Sequence, residues 1–390
     1  MPIAVFALSL SMFAIGTTEF VIVGLLPTIS SHLGVSVPTV GLLVTAYALG
    51  IAIGGPLLTS LTGGLPRKRL LLTLMALFVV GNVASGLAPS FEFLLVARIL
   101  TAFTHAVFAS AGVALAVSLV SEKRQGRVIA AMFGGVTIAL VLGVPLGTFL
   151  GQHLGWRTAF YGVAIIGAVA LIVDARLLPE APASSWVPMR RQLSLLADPR
   201  LMLALLTTVI GFGGQIVAYT YIAPFLEHVS GFGAGSISPL LVVFGSAAAA
   251  GTFAGGHAID RWPRATPVLA LGLLAGVLGL ATLTAESTIG AIATLVAWGS
   301  VGFALSPVLQ HQAARAAPHS PDIVSALNIS AFNFGIAGGA LIGGRVVAGD
   351  GIHAVTWVGG LIVAAAALLA AVGALTARPQ AAAAARSLSP

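Results

Sequence analysis

The chain has 390 residues, of which 58% are hydrophobic and only 7% are charged, and it contains no cysteine. Soluble domains carry about 25% charged residues, so the composition excludes a water-soluble protein and favours one embedded in a lipid bilayer. The net charge of +7 does not indicate nucleic-acid binding, because the basic residues are sparse and lie between apolar stretches. The lack of cysteine excludes disulfides, thiolate nucleophiles and cysteine metal sites.

Twelve apolar stretches follow one another along the chain, each long enough to cross a bilayer as a helix, which takes about 20 residues. The first six are predicted at roughly 3–26, 37–60, 70–89, 93–119, 128–150 and 158–178. The other six are predicted at roughly 200–224, 236–259, 266–285, 288–310, 322–345 and 352–376. Prolines at or just outside the ends of these stretches, such as Pro27, support the boundaries. The sequence therefore predicts an all-α membrane protein with twelve transmembrane helices.

The basic residues are expected mainly on one side of these helices. Fifteen of the eighteen lie on the side of the two chain termini: Arg67, Lys68, Arg69, Lys123, Arg124, Arg127, Arg176, Arg190, Arg191, Arg200, Arg261, Arg264, Arg315, Arg378 and Arg386. Arg157 and Arg345 are expected on the other side, and Arg98 within a helix. Because cytoplasmic loops carry an excess of lysine and arginine, both termini are predicted to be cytoplasmic, in a multi-pass protein of the cytoplasmic (inner) membrane.

The chain is predicted to form two halves of six helices each. The predicted parts are an N-terminal bundle at 1–178, a cytoplasmic linker at 179–199, a C-terminal bundle at 200–376 and a disordered cytoplasmic tail at 377–390. The linker is rich in proline at its start and basic at its centre, as expected of a connection between two halves. The tail has low complexity.

An internal repeat relates the two halves. PRKR at 66–69 and GHAIDRWPR at 256–264 occupy corresponding loops, with Arg67 and Arg264 separated by 197 residues. Glycines at 143, 147 and 151 return at 335, 339 and 343, an offset of 192. Such repeats are typical of transporters with a substrate site between the halves near the membrane midplane. The glycine spacing indicates close helix packing, with hinge or gating behaviour as the alternative.

Several short motifs lie at particular places along the predicted helices and loops. They are Gly256, Asp260, Arg261 and Arg264 in a G-x-x-x-D-R-x-x-R loop, Arg67 and Lys68 in the first-half loop, Arg98 in the fourth stretch, and Gly143, Pro145 and Gly147 in GVPLG. With them the chain resembles the drug:proton antiporter group of the major facilitator superfamily, and within it arabinose-type sugar efflux permeases and chloramphenicol-resistance exporters. The match departs at Gly63, where the family has aspartate, at Ala102, where it has glycine, and in the shifted Pro145. The resemblance implies two six-helix bundles and efflux of a small organic molecule driven by inward proton flow.

Glu19 is an acid within the apolar segment GTTEFVIVGLLP at 16–27. An ionisable residue inside a membrane is a functional hypothesis by default. At 1.5 Å per residue, Glu19 is expected about 10 Å and Arg98 about 9 Å below the same boundary. In the superfamily that the chain resembles, the first and fourth helices line one cavity, which implies that the two side chains lie within reach. Changing contact with water or arginine would switch Glu19 between its neutral and charged forms, so Glu19 is predicted to couple transport to protons, with Arg98 as its partner.

Other roles for these residues stay open. Glu19 and Arg98 could form a permanent ion pair that only joins two helices, or Glu19 could bind a cationic substrate directly. His105 lies seven residues after Arg98 and faces almost the same way. It is predicted to relay protons or contact substrate, and a histidine that only completes the packing is the alternative.

Polar residues in other stretches are candidates for the wall of a substrate cavity. They are Tyr47, Gln215, Tyr219, Gln310, Asn328 and Asn333. Each could instead form hydrogen bonds between helices. Asp260 and Arg261 are expected to link helix ends and favour one conformation, as the resemblance implies.

No cofactor or metal site is predicted, because the eleven acidic residues are scattered, and this also argues against an integral membrane enzyme. A channel would not require the two-half repeat. A sugar exporter, or a facilitator or symporter of the same superfamily, stays an alternative to a drug antiporter. The expected partners are a small-molecule substrate, protons and the lipid bilayer, and nothing in the sequence demands more than a monomer.

Overall fold

A computed structural model of the chain describes residues 1–181 and 194–376. Within these residues all regular structure is helical, and twelve helical spans are long and apolar enough to cross a membrane. The predicted all-α class and the predicted number of spans are therefore confirmed. Residues 182–193 of the predicted linker and the predicted tail at 377–390 lie outside the described residues.

The helices of the first half are α1 (Ile3–Leu33), α2 (Val37–Thr62), α3 (Arg67–Leu87), α4 (Phe91–Ser118), α5 (Glu122–Ile138), a π-helical turn (Ala139–Gly143), α6 (Val144–Leu154) and α7 (Trp156–Leu177). Those of the second half are α8 (Pro199–Tyr219), α9 (Ile222–His228), α10 (Ala234–Arg261), α11 (Ala265–Thr284), α12 (Thr288–Ala316), α13 (Pro321–Gly349) and α14 (Ala354–Thr376). We call the end of the molecule where α1 begins and α14 ends the terminal face, and the other end the opposite face.

Two of the predicted boundaries that differ from the structure matter for the site. Pro27 lies inside α1, which continues to Leu33 and ends at Gly34, a residue with φ of 63°. Glycine suits this left-handed position because it has no Cβ. The seventh predicted stretch, at 200–224, is divided, because α8 ends at Tyr219 and a separate short helix follows it.

The fifth span contains a local change of helix type. The π-helical turn ends at Gly143, and α6 begins directly after it with Pro145 in its first turn. Proline has no backbone N–H to donate to the preceding turn, and π-helical turns occur where the regular hydrogen-bond ladder is interrupted. The interruption lies where this span contacts the second half of the molecule.

The repeated glycines allow close helix packing in both halves, because a Cβ at each would overlap the helix that faces it. The facing pairs are Gly143 with Thr17, Gly147 with Val21, Gly151 with Leu25, Gly335 with Val209, Gly339 with Gly213 and Gly343 with Val217. Each pair of the second half lies 192 residues after its counterpart in the first. The two glycine stripes therefore hold span five against α1 and α13 against α8 in the same way.

The two halves share one apolar core near the opposite face and have separate cores near the terminal face. The shared core joins Leu25 of α1 and Leu43 of α2 to Phe225 of α9. Near the terminal face, one core contains only first-half residues such as Leu8, and another contains only second-half residues such as Leu201. In this conformation the halves are therefore joined mainly toward the opposite face.

Candidate transport site

Glu19 lies near the middle of α1 and points into a small cavity between the halves. The cavity is lined by Glu19, Phe20, Val23, Val44, Tyr47, Ala48, Ile216, Tyr219, Thr220 and Ile336. It has room for about one water molecule, and the Glu19 side chain is 12% exposed. Because α1 continues to Leu33, Glu19 lies about 21 Å along the helix from that end, deeper than the 10 Å that the predicted boundary gave.

Arg98 of α4 lies beside Glu19 but does not bond to its carboxylate. Its guanidinium is fully buried and donates hydrogen bonds to the backbone oxygens of Thr18, at 2.5 Å, and Glu19, at 3.4 Å. The Arg98 guanidinium carbon also lies 4.0 Å from the ring centroid of Tyr47, in a cation–π arrangement. The described residues form no ion pair between Arg98 and Glu19. Arg98 thus fastens α4 to the backbone of α1 and leaves the carboxylate to other partners.

His105 connects Glu19 to Tyr47. Its Nδ1 lies 4.0 Å from Oε2 of Glu19 and 3.3 Å from the Tyr47 hydroxyl oxygen. The imidazole can donate or accept a proton at this nitrogen. The structure therefore brings together Glu19, Tyr47, Arg98 and His105, three of which were predicted as proton-coupling residues.

On the second-half side, Tyr219 faces this cluster across the cavity. Its ring packs edge-on against Phe20, with the ring centroids 6.3 Å apart. Gln215, one turn earlier in α8, is 1% exposed and lies against Gly302 of α12. Neither atom of the Gln215 amide has a hydrogen-bond partner in the described part of the chain.

Of the predicted cavity residues, Tyr47 and Tyr219 line the cavity around Glu19, whereas Gln215 does not. The structure also places the other three away from Glu19. Asn328 accepts a hydrogen bond from Thr208 at 2.8 Å and donates one to Gln310 at 2.7 Å, and Gln310 donates to Ser325 at 2.9 Å. These bonds join α8, α12 and α13, which corresponds to the alternative of hydrogen bonds between helices. Asn333 donates to the Ile329 oxygen of its own helix, and none of the three amides lines the cavity around Glu19.

The basic loop residues of the first half contact other residues of that half. Arg67 donates to the Ala114 oxygen of α4 at 2.6 Å, and Lys68 lies 3.8 Å from the exposed carboxylate of Glu180. In the second half, the end of α10 and the loop after it leave Asp260, Arg261 and Arg264 exposed, with Gly256 half-buried. Within residues 1–181 and 194–376, no ion pair joins these charges to the first half.

Two further features were missed from the sequence. Asp174 of α7 is fully buried and accepts a hydrogen bond from Ser11 at 2.7 Å. Its position close to Arg176 and the helix end gives no sequence signal of burial. The second feature is an aromatic cluster around Tyr219, whose members are Phe212, Phe244, Trp298, Phe303 and Phe332. Phenylalanines are common in apolar spans, so the sequence alone does not indicate which of them meet.

Twelve spanning helices in two similar halves, with a cavity between them, define a membrane transporter rather than an enzyme. The sequence model of the Major Facilitator Superfamily matches residues 8–337. The chain belongs to this family, as the motifs predicted.

Relatives of known name support the same class. The chain is 42% identical to the uncharacterized MFS-type transporter YtbD of Bacillus subtilis (strain 168), over 94% of each chain. It is 38% identical to the inner membrane transport protein YdhP of Escherichia coli (strain K12), over 93% of each. It is 33% identical to a chloramphenicol resistance protein of Streptomyces lividans, over 95% of this chain and 96% of that one. The protein is therefore a multi-pass membrane transporter.

A solved structure has the same fold. It is the crystal structure of a bacterial homologue of the human lysosomal transporter Spinster, in an inward-facing and unoccupied conformation. The TM-score is 0.69 with 17% sequence identity, and the match covers 95% of both chains. At this identity the likeness establishes the fold alone.

Proposed function

We propose that the protein is a proton-coupled antiporter that exports a small organic molecule across the cytoplasmic membrane. Its two bundles, 1–178 and 200–376, rock around the cavity as a monomer with both termini in the cytoplasm. The observation that carries the proposal is the position of Glu19, an acid near the middle of a spanning helix that lines a cavity between the halves and is not paired with Arg98. An acid free of a permanent partner can change its charge as the cavity opens and closes.

The neighbours of Glu19 support the exchange of protons with water. When the cavity opens to the outside, Glu19 takes up a proton and becomes neutral, which suits a site closed off from water. When the cavity opens to the cytoplasm, the proton leaves and substrate binds. His105 lies close enough to the carboxylate to pass the proton on. Arg98 stays fixed on the backbone of α1 and favours the charged form of Glu19, whereas the loss of water on closure favours the neutral form.

The composition of the cavity supports an uncharged or weakly polar substrate. Glu19 is the one acid among its lining residues, and most of the others are apolar or aromatic. Ligand sites are typically apolar with a few placed polar groups. A relative named as a chloramphenicol resistance protein supports an amphenicol as the first substrate to test.

Uptake of labelled chloramphenicol into everted vesicles tests the proposal, because uptake there corresponds to export from the cell. We expect accumulation by the unsubstituted protein to require a proton gradient and to stop when a protonophore collapses it. Glu19→Gln should lose accumulation against a gradient, because an amide cannot take up the proton, and should keep downhill movement of substrate. Glu286→Gln is the control, because this glutamate is exposed in the loop before α12.

Full proton-driven accumulation by Glu19→Gln would contradict a coupling role for this acid. Movement of substrate to equal concentrations without accumulation, unaffected by the protonophore in the unsubstituted protein, would instead indicate a facilitator. A symporter would show the opposite dependence on the direction of the gradient.

A further inference from the structure

Contacts relate the two halves of the molecule residue by residue. A Cβ on Gly50 would meet Ala102, and a Cβ on Gly299 would meet Ala247. Ala247 lies 197 residues after Gly50, and Gly299 lies 197 residues after Ala102. We therefore align α10 with α2 and α12 with α4 at this offset. For α1 and α8 the offset is 192, as the glycine stripes establish.

These offsets give the second-half counterparts of the four residues around Glu19. The counterparts are Gly211 for Glu19, Phe244 for Tyr47, Leu295 for Arg98 and Gly302 for His105. None of them is ionisable. At these four positions the second half keeps the backbone arrangement of the first but has no ionisable side chain.

A neutral amide occupies part of the space that these changes leave. At Gly302, the counterpart of His105, a Cβ would overlap Oε1 of Gln215. Gln215 belongs to α8. Its counterpart in α1, 192 residues earlier, is Val23, which lines the Glu19 cavity. Because the amide is buried and unpartnered within the described residues, turning it away from Gly302 breaks no hydrogen bond with them.

Trp298 lies close to this amide, since a Cβ on Gly302 would meet both side chains, and other aromatic rings connect Trp298 to the Glu19 cavity. Tyr219 stacks on Phe244 with the ring centroids 5.1 Å apart, and Trp298 meets Phe244 edge-on at 5.5 Å. The Trp298 Nε1 is also buried without a partner in the described part of the chain. Tyr219 belongs to both the aromatic cluster and the cavity wall. The two half-sites are thus adjacent, one ionisable and one neutral and aromatic.

We propose that the second half carries the substrate-recognition part of the site, and that it binds an uncharged aromatic compound with a carboxamide. Rings of the substrate pack among Tyr219, Phe244 and Trp298, which favours flat aromatic groups. The Gln215 amide has a donor NH2 group and an acceptor oxygen, which can pair with the acceptor and the donor of a substrate amide. This inference rests on the proposed transport function, but it concerns recognition and not the coupling to protons.

Equilibrium binding to the purified full-length protein in detergent tests the inference separately from transport. The probes are labelled chloramphenicol, an uncharged aromatic amide, and labelled arabinose, a sugar without an aromatic ring. We expect chloramphenicol to bind to the unsubstituted protein. Gln215→Leu should lower the affinity for chloramphenicol about fivefold or more, as expected for the loss of a hydrogen bond. Gln152→Leu, the same change in α6 of the other half, should leave the affinity unchanged.

The melting temperature separates recognition from a structural role. Gln215→Leu removes two buried polar atoms without partners, so it should raise the melting temperature while it lowers the affinity. Gln215→Met, which is unbranched like glutamine, serves if the leucine variant gives little folded protein. Weaker binding with a lower melting temperature in both variants would show that Gln215 only supports the fold and would overturn the inference.

Other results also decide the matter. Unchanged affinity in Gln215→Leu, no binding of chloramphenicol, or preferred binding of arabinose would each overturn the inference. These results are distinct from failure of the proposed function, which is measured by the proton dependence of Glu19→Gln. If Gln215→Leu loses affinity while Glu19→Gln keeps proton-driven uptake, the recognition inference stands. The proposed coupling role of Glu19 is then contradicted.

Discussion

The side chains around Glu19 differ in how firmly their contacts hold them. Arg98 is held by two backbone oxygens and by the ring of Tyr47, whereas within residues 1–181 and 194–376 the Glu19 carboxylate has only a 4.0 Å approach to His105. A buried guanidinium needs such contacts, because an unpaired charge in an apolar interior is very costly. The arrangement therefore separates a fixed cation from an acid whose surroundings can change.

The ring of Tyr47 is predicted to matter more than its hydroxyl group. Tyr47→Leu removes the aromatic face under Arg98 and should destabilise the protein by about 2 kcal/mol or more, from the lost cation–π contact and lost packing. Tyr47→Phe keeps the ring, loses only the 3.3 Å contact with His105, and should cost about 1 kcal/mol or less. Melting temperatures in detergent measure both effects, and equal losses in the two variants would contradict the cation–π role.

The ionisable residues of the site could be found from the sequence, but the neutral ones could not be assigned. Glu19 and Arg98 are conspicuous because charged residues are rare within apolar spans. Gln215 and Gln310 look alike in the sequence, yet Gln310 is in a hydrogen-bonded network and Gln215 is unpartnered. That difference depends on which side chains three separate helices bring together, which no local pattern contains.

At the scale of single helices, the glycine stripes set how closely neighbours approach. A Cβ on Gly339 would overlap the backbone oxygen of Gly213 in α8, which cannot move without the helix. The preceding residue in the chain, Gly338, has open space where its Cβ would lie. Adjacent residues of α13 therefore face very different surroundings.

Replacing these two glycines tests the packing directly. Gly339→Ala should destabilise the protein by about 1–3 kcal/mol, as expected for overpacking against a rigid neighbour. Gly338→Ala should be neutral or slightly stabilising, because alanine favours a helix over glycine by about 0.5–1 kcal/mol. Melting temperatures of the two variants give the comparison, and an equally stable Gly339→Ala protein would contradict the close approach of α8 and α13.

The spans could be predicted from the sequence in number and order, but their ends could not. Apolar length marks where a chain crosses the hydrocarbon layer, whereas a helix ends where its cap allows. In α1 the helix passes Pro27 and stops only at Gly34. Proline is tolerated there because neighbouring groups in membrane proteins can compensate for the lost hydrogen bond. The break between α8 and α9 could not be predicted either, because the residues after Tyr219 are about as apolar as those around them.

At the scale of the whole molecule, Tyr221 lies where the two halves close near the opposite face. It stands between α8 and α9 and donates a hydrogen bond to the Ala340 oxygen of α13 at 3.1 Å. The end of its ring lies against Gly41 of α2, where a Cβ would overlap the hydroxyl group. The glycine on one half thus leaves room for a side chain of the other, and opening this face requires the two to separate.

Gly41→Ala is therefore predicted to weaken closure at the opposite face. The added methyl group displaces Tyr221 only in the closed state, and a difference of about 1 kcal/mol would raise the share of the opened state about fivefold. Because the chain has no cysteine, Val44→Cys supplies a single thiol on α2, at a cavity residue that is 8% exposed. In right-side-out vesicles, a membrane-impermeant maleimide should label this cysteine several-fold faster when Gly41→Ala is also present.

Gly55→Ala on the same helix separates the effect on closure from a general effect of alanine. Its Cβ would meet only the Ala106 methyl group at 3.9 Å, an ordinary contact within the first half. It should leave the labelling rate of Val44→Cys unchanged, because it does not reach the second half. Of the two glycines, Gly41 faces Tyr221 across the interface and Gly55 does not. Equal labelling rates of Val44→Cys with Gly41→Ala and with Gly55→Ala would therefore mean that Tyr221 does not hold the halves together.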